Sequence, residues 1–223
     1  MLGGGASVPE LFNIPEHIVN AVSTGGRPAL YSEYFSSIHD RHVIGVNNAY
    51  MIGSWIDAVF FGDCAWYNVH RQNLAKYNGL KVTCCNRFEN RPADKMEGIR
   101  FLQKDAHHRQ GLTRNTQKVS WNTNSGAAAI NLGVHLGAKR IIIMGLDMNM
   151  KGQHSHWHGS HGNKKPPPFS RHLRGFPDIK KDAAEMEVEI LNTNPHSGLK
   201  GMFPIITMEE ALALSTPRRT DEV

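Results

Sequence analysis

One stretch, residues 122–147, constrains the fold of this chain more than any other. It opens with a polar turn in which Asn124 or Ser125 can cap a helix, and in which Gly126 lets a ligand approach the N–H groups of the first helical turn. Apart from Asn131 and His135, small and apolar residues then continue to Gly137, a pattern typical of a helix that ends in a left-handed glycine. The small side chains predict that this helix packs closely against a sheet.

An unbroken apolar run, residues 141–144, follows this helix. Such a run indicates a strand with both faces buried, as in a parallel sheet. Two other apolar runs, residues 42–48 and 57–63, also end in polar residues. We therefore predict an α/β fold, Rossmann-like and doubly wound, with a mostly parallel sheet whose strand ends converge on a ligand site. The polar residues at these strand ends are Asn47, Asp63 and Asp147.

Length and composition set the expected organisation. A chain of 223 residues with 40% hydrophobic content is long enough for one substantial core, so we expect one domain over residues 1–214, a lid loop over about 149–175 and a frayed tail over 215–223. No apolar run approaches the roughly 20 residues that span a bilayer, and no leader pattern is visible, so we expect a cytoplasmic protein without a membrane span. The three cysteines suggest neither a disulfide framework nor a CxxC metal pair, and we expect them to be small core residues. They are Cys64, Cys84 and Cys85.

The charge of the chain favours an anionic ligand. Its net charge is +5 and its pI is near 9.2, which is also compatible with a nucleic-acid substrate or partner. The basic residues fall in two polar segments, each of which is either a solvated loop or a phosphate-facing one. The first segment holds Lys104, Arg109, Arg114 and Lys118, and the second holds Lys164, Lys165, Arg171 and Arg174.

The chain begins with a glycine-rich turn that contains Gly3, Gly4, Gly5 and Ser7. In Rossmann-like proteins such a turn follows the first strand, and its N–H groups cradle a phosphate. Here the preceding strand would be only one or two residues long. The spacing is not GxGxxG, so a flexible terminus is the alternative interpretation.

The predicted lid is rich in histidine. Its HxHxH spacing could supply imidazoles to a metal, although it has neither the HExxH pattern nor a cysteine pair. Histidine titrates near neutral pH, so general acid or base work and phosphate contact are the other functional interpretations, and a solvated His-rich loop is the structural one. The lid histidines are His154, His156, His158, His161 and His172.

The order of these motifs resembles a known group. GGGAS, HVIGVNNAY, WIDAVFFGD, NSGAAAINLGVHLGAKRIIIMGLDM and a strand that ends in NTNPHSGL follow one another along the chain. In this order they resemble the Rossmann-like family of 6-hydroxymethylpterin diphosphokinases, in a compact, phage-type form, for which the location would be the host cytoplasm. They resemble more distantly the bacterial CMP-sialic-acid-dependent sialyltransferases.

The resemblance implies roles for residues at several strand ends. It implies that the glycine turn binds the nucleotide phosphates and that the turn before the central helix faces the nucleotide. It also implies that Asp147 is the carboxylate after the central strand, and the polar turn at 192–198 adds a further strand end to this edge. The candidate nucleotide-binding residues are Gly3, Gly4, Gly5, Ser7, Asn47, Asn124, Ser125, Gly126 and Ser197.

These features together predict a nucleotide-dependent transferase with a hydroxyl acceptor. Asp63 and Asp147 would hold Mg²⁺ or the ribose, and His156 or His158 would accept the acceptor's proton. Diphosphoryl transfer from a donor such as ATP requires Mg²⁺, whereas sugar transfer from a CMP-sugar can proceed without metal. The alternatives are a nucleotide or nucleic-acid binding protein without catalysis, and a metal-dependent hydrolase that uses the lid histidines.

Overall fold

The computed structural model describes residues 1–91, 97–107, 110–158 and 167–215. Four residues singled out above, and all of the tail after residue 215, lie outside the described residues. The four are Arg109, His161, Lys164 and Lys165.

Short helices and strands alternate along most of the chain. The helices are α1 (Val8–Leu11), α2 (Glu16–Ser23), α3 (Cys64–Ala75), α4 (Ser125–His135), α5 (Phe169–His172), α6 (Phe176–Glu185) and α7 (Met208–Leu214), with 3-10 helices at Pro28–Ile38, Asn47–Ile52, Asn86–Phe88 and Leu173–Gly175. The strands are β1 (Ile44–Val46), β2 (Ala58–Phe61), β3 (Leu80–Thr83), β4 (Ile99–Phe101), β5 (Gln103–Lys104), β6 (Lys118–Val119), β7 (Arg140–Ile143) and β8 (Glu189–Asn192). Within the described ranges, none of the helices combines the length and the apolar character that a bilayer crossing requires.

Residues 1–3 join two parallel sheets into one. The first sheet has the order β1-β2-β3-β4, and β7 pairs with β8 in the second. Leu2 forms parallel bridges with Gly45 on one side and Met144 on the other. The resulting order is β4-β3-β2-β1, then residues 1–3, then β7-β8, and the predicted very short first strand is therefore central. Strands β5 and β6 form a separate parallel pair.

Helices cover both faces of this sheet, as the apolar strand sequences predict. Val59 and Phe61 point to one face, where they cluster with Trp66 of α3. Phe60 points to the other face, where it clusters with Ala128 of α4. All three β2 side chains are fully buried. The α/β, doubly wound, Rossmann-like prediction is confirmed.

Three helix ends are formed by residues whose types favour those positions. Asn124, rather than Ser125, is the cap of α4, because its side chain accepts from two N–H groups of the first turn. Gly137 takes the left-handed conformation just after α4, with φ at 88°. Thr207 and Glu210 form the reciprocal capping box that begins α7.

The expectation for the cysteines is wrong in part, because Cys64 and Cys85 form a disulfide. Cys64 opens α3 directly after β2, and Cys85 follows β3. Since β2 and β3 are adjacent parallel strands, their carboxyl ends lie side by side, and the two Cα atoms are 5.4 Å apart. Cys84 remains a buried thiol, as expected.

Removing this disulfide is expected to lower the free energy of unfolding by about 3 kcal/mol in Cys64→Ser, because the bond closes a loop of 21 residues in the unfolded chain. Urea unfolding measures the loss. Dithiothreitol should lower the stability of the wild type by the same amount and leave Cys64→Ser unchanged. A wild type that is indifferent to dithiothreitol would contradict the assignment.

Candidate functional site

The strand order reverses at residues 1–3, and this reversal defines a crevice at the carboxyl edge of the sheet. From the central segment, the chain continues to β1 on one side, and β7 lies on the other side. In open α/β sheets, ligands bind at such a switch point. Gly3, Gly4 and Gly5 leave the sheet at this point.

The glycine turn, residues 3–5, approaches its neighbours too closely for a side chain. A Cβ on Gly5 would lie 2.5 Å from the Asp147 carboxylate carbon. The N–H groups of Gly3 and Gly5 donate to the carbonyl oxygens of Met144 and Gly145, both at 2.7 Å. The N–H groups of Gly3 and Gly5 already pair within the protein, so they are not free donors for the phosphate cradle that the sequence predicts. Gly4 is the glycine between them.

Asp147 is buried, with 4% of the residue exposed, and its carboxylate connects three strand ends. One oxygen accepts the backbone N–H of Ser7 at 2.8 Å. The other accepts the Ser7 hydroxyl at 2.6 Å and the Asn194 side-chain amide at 2.8 Å. Both oxygens are thus engaged, and this geometry favours a role for Asp147 in positioning the glycine turn against β7 and β8.

Ser197 holds the turn that follows β8. Its hydroxyl accepts from the Asn192 side chain at 2.8 Å and from the N–H of Leu199 at 3.2 Å, and the residue is 3% exposed. The N–H of Gly198 donates to the carbonyl oxygen of Asp147 at 2.6 Å. Ser197 therefore lies near the crevice, but its hydroxyl is used within the turn after β8. Its contact with a nucleotide stays a prediction.

The lid reaches the glycine turn through Trp157, which sequence reasoning did not single out. Its backbone N–H donates to the Gly4 carbonyl oxygen at 3.0 Å, and its indole N–H donates to the Gly3 carbonyl oxygen at 3.1 Å. The indole is buried against Tyr31, with ring centroids 5.3 Å apart. The sequence feature that could have indicated this contact is a large aromatic residue between two histidines.

His156 and His158 flank Trp157 and lie over Gly4. A Cβ on Gly4 would be 3.1 Å from His156 Cδ2 and 3.2 Å from His158 Nε2. The two imidazole centroids are 5.0 Å apart. The Ser155 hydroxyl lies 2.7 Å from His156 Nδ1 and orients that ring. The structure therefore brings together the predicted glycine turn and the two predicted lid histidines.

The other described lid histidines occupy different settings. His154 is exposed and pairs through its backbone with Lys151. His172 belongs to α5, where burial first and the charge of Arg171 second lower its pKa. Within the described residues, no group of three His, Cys, Asp or Glu side chains could hold a metal ion.

Asn47 directly follows β1 and carries two unusual features. Its backbone is left-handed, with φ at 50°. Its side-chain oxygen is buried and has no hydrogen-bond partner among the described residues. A buried polar atom without a partner costs about 1–3 kcal/mol, and strained backbone is concentrated at functional sites. Both features are consistent with the predicted ligand contact.

The start of α4 is tied to the same edge. The Asn124 side-chain oxygen accepts the N–H groups of Gly126 at 2.8 Å and Ala127 at 3.3 Å. A Cβ on Gly126 would clash with Leu146, so glycine permits α4 to pack against the residue before Asp147. Asn124 and Gly126 therefore serve the cap and the packing, and Ser125 is half-buried at the first helical position.

The two aspartates are too far apart in the sheet for one shared metal ion. Asp63 is exposed and caps α3, where it accepts the N–H of Ala65 at 2.7 Å. Strand β1 and residues 1–3 lie between β2 and β7, so Asp63 and Asp147 are separated by three strand spacings, roughly 14 Å. A single Mg²⁺ held by both carboxylates does not fit this arrangement.

The first basic segment divides between two edges of the sheet. Lys104 lies at the carboxyl edge, 4.9 Å from the ring centroid of Trp121. Arg114 instead lines a shallow groove of about 220 Å³ near the end of α4, together with His135 and Lys139. Of Lys104 and Arg114, only Lys104 is therefore placed near the crevice.

Comparisons with known proteins show the fold. No protein-family model matches the chain, and no curated protein matches it either. Among solved structures, the sialyltransferase CstII from Campylobacter jejuni, in complex with the substrate analogue CMP-3FNeuAc, is similar over 100% of this chain and 91% of its own chain. The TM-score is 0.50 and the sequence identity is 12%, which is evidence for a shared architecture. The resemblance to sialyltransferases is thereby supported at the level of the fold.

Proposed function

We propose that this chain is a glycosyltransferase that moves a sugar from a nucleotide-sugar to a hydroxyl acceptor, with a CMP-sugar as the donor. The observation that carries the proposal is the contact of His156 and His158 with Gly4 at the switch point of the sheet. This contact supports the proposal because Rossmann-like folds bind phosphate at the turn after the first strand. The similarity in fold to a structure with a bound CMP-sugar analogue supports the choice of donor.

The proposed reaction needs one group that accepts a proton, one cationic group that stabilises the leaving phosphate, and no oxidant. The bond between the anomeric carbon and the phosphate oxygen breaks, and its electron pair stays on the nucleotide phosphate. The acceptor hydroxyl oxygen bonds to the anomeric carbon and releases its proton. One imidazole accepts that proton, and the other, as imidazolium, stabilises the phosphate that leaves. The ring centroids of His156 and His158 are 5.0 Å apart, so one imidazole can accept the proton while the other contacts the phosphate.

Other residues position these groups. Trp157 fixes the two histidines on the glycine turn, and Asp147 fixes the turn itself through Ser7. We propose that Asn47, whose buried side-chain oxygen has no hydrogen-bond partner among the described residues, contacts a hydroxyl group of the nucleotide-sugar. Asp63 and Ser125 are exposed or half-buried at neighbouring strand and helix ends, and we propose that they line the nucleotide side of the crevice.

A ligand panel tests this function. CMP and CMP-3FNeuAc, each at about 100 times its Kd, should stabilise the protein by about 2.7 kcal/mol in EDTA. ATP should have no comparable effect with or without Mg²⁺. The protein should also release CMP from a CMP-sugar when a hydroxyl acceptor is present. Stabilisation by ATP that requires Mg²⁺ would favour phosphoryl transfer instead, and CMP binding without turnover would favour a binding protein.

A further inference from the structure

Trp121 extends the crevice beyond the glycine turn. The residue precedes the cap of α4 and is half-buried, and its ring packs directly on Gly62 at the end of β2. Any Cβ on Gly62 would clash with the indole, so glycine is required for this contact. The indole consequently forms a wall at the carboxyl edge, next to the exposed Asp63.

Lys104 places a positive charge on this wall. Its ammonium lies 4.9 Å from the Trp121 ring centroid, within the range of a cation–π contact. Lys104 also lies near Cys84, which follows β3. Burial raises the pKa of the Cys84 thiol to about 12, and the positive charge of Lys104 opposes that rise. Within the described part of the chain, Lys104 forms no ion pair with a carboxylate. Its ammonium protons are therefore available to an acceptor on a ligand.

The distance from the glycine turn to the end of β2, where Trp121 packs on Gly62, matches the length of a nucleoside. Strand β2 is two spacings from residues 1–3, or roughly 10 Å along the sheet edge, with Asn47 at the end of the strand between them. In Rossmann-like sites the phosphate lies at the first turn and the ribose at the end of the next strand. The nucleobase then extends toward Gly62 and Trp121.

We propose that Lys104, held in place by Trp121, determines the nucleobase by donating a hydrogen bond to a carbonyl oxygen of the base. This inference rests on the proposed function, because it assumes a nucleotide whose phosphate lies at the glycine turn. Cytosine, uracil and guanine each present a carbonyl oxygen, whereas adenine presents only ring nitrogens and an amino group. The site should therefore bind a base with a carbonyl oxygen more tightly than adenine.

Isothermal titration with CMP and AMP tests the inference on the full chain. The wild type should bind CMP more tightly than AMP. Lys104→Met keeps the alkyl chain against Trp121 and should weaken CMP binding about tenfold while AMP binding stays unchanged. Lys104→Arg retains the charge and the donors and should restore most of the CMP affinity. Lys139→Met, in the groove at the opposite edge, is the matched control and should bind CMP like the wild type.

The outcomes separate this inference from the proposed function. If the wild type binds neither nucleotide, the proposed function fails and the inference fails with it. If CMP binds and Lys104→Met has no effect, or weakens CMP and AMP equally, the nucleotide site stands and the base-reading role of Lys104 is overturned. Melting temperatures of the variants within a few degrees of the wild type ensure that the affinities refer to folded protein.

Discussion

Asp147→Ala is expected to lower the free energy of unfolding by about 4 kcal/mol, because it removes the acceptor of three buried hydrogen bonds. The Ser7 N–H, the Ser7 hydroxyl and the Asn194 amide would all lose their partner in a region with little access to water. Ser7, just after the glycine turn, would then no longer be fixed beside β7 and β8, so CMP binding should also be lost. Urea unfolding followed by isothermal titration measures both effects.

Asp63→Ala is the matched control for this prediction. Asp63 also follows a strand, but it is exposed and accepts one hydrogen bond as the cap of α3. Its loss should cost about 1 kcal/mol. If Asp147→Ala left stability intact but abolished ligand binding, Asp147 would be a ligand or metal contact, as the sequence alone suggested, and the positioning role would be wrong.

The architecture was predictable because its signals are local. Runs such as residues 141–144 are apolar on every side chain, and this pattern requires helices on both faces of a sheet. Asn124, Gly137 and the Thr207 capping box act within a few residues of their own position. Such signals do not depend on which strand pairs with which.

The details of the site were less predictable because they depend on strand order. The sequence places Asp63 and Asp147 at strand ends, but only the insertion of residues 1–3 and β1 between them shows that they cannot share an ion. The Cys64–Cys85 disulfide likewise depends on the pairing of β2 with β3. Contacts of this kind join segments that are distant in sequence and carry no local periodic pattern.

The glycine turn also combines a local feature that was predictable with long-range contacts that were not. Its presence and its position after a short strand were predicted, but the sequence could not show that Gly3 and Gly5 use their N–H groups within the sheet. Nor could it show that Trp157 brings the lid onto Gly4. The outcome is a glycine turn that is partly paired within the sheet and is covered by side chains from the lid.

His158→Ala and His156→Ala are each expected to lower kcat for sugar transfer by about 10²–10⁴-fold, the usual contribution of a general acid or base. The KM for the CMP-sugar should change by less than about threefold, because Trp157 and Asp147 still hold the glycine turn. Steady-state kinetics of CMP release, over a range of pH, measures both constants.

His154→Ala supplies the control from the same segment, since His154 is exposed and interacts with Lys151 through its backbone. It should retain kcat and KM. Equal losses in all three variants would indicate that the substitutions disturb the lid as a whole. A rise in KM without a change in kcat would instead assign His156 and His158 to donor binding, and the proton transfer would then have to be carried by another group at this edge of the sheet.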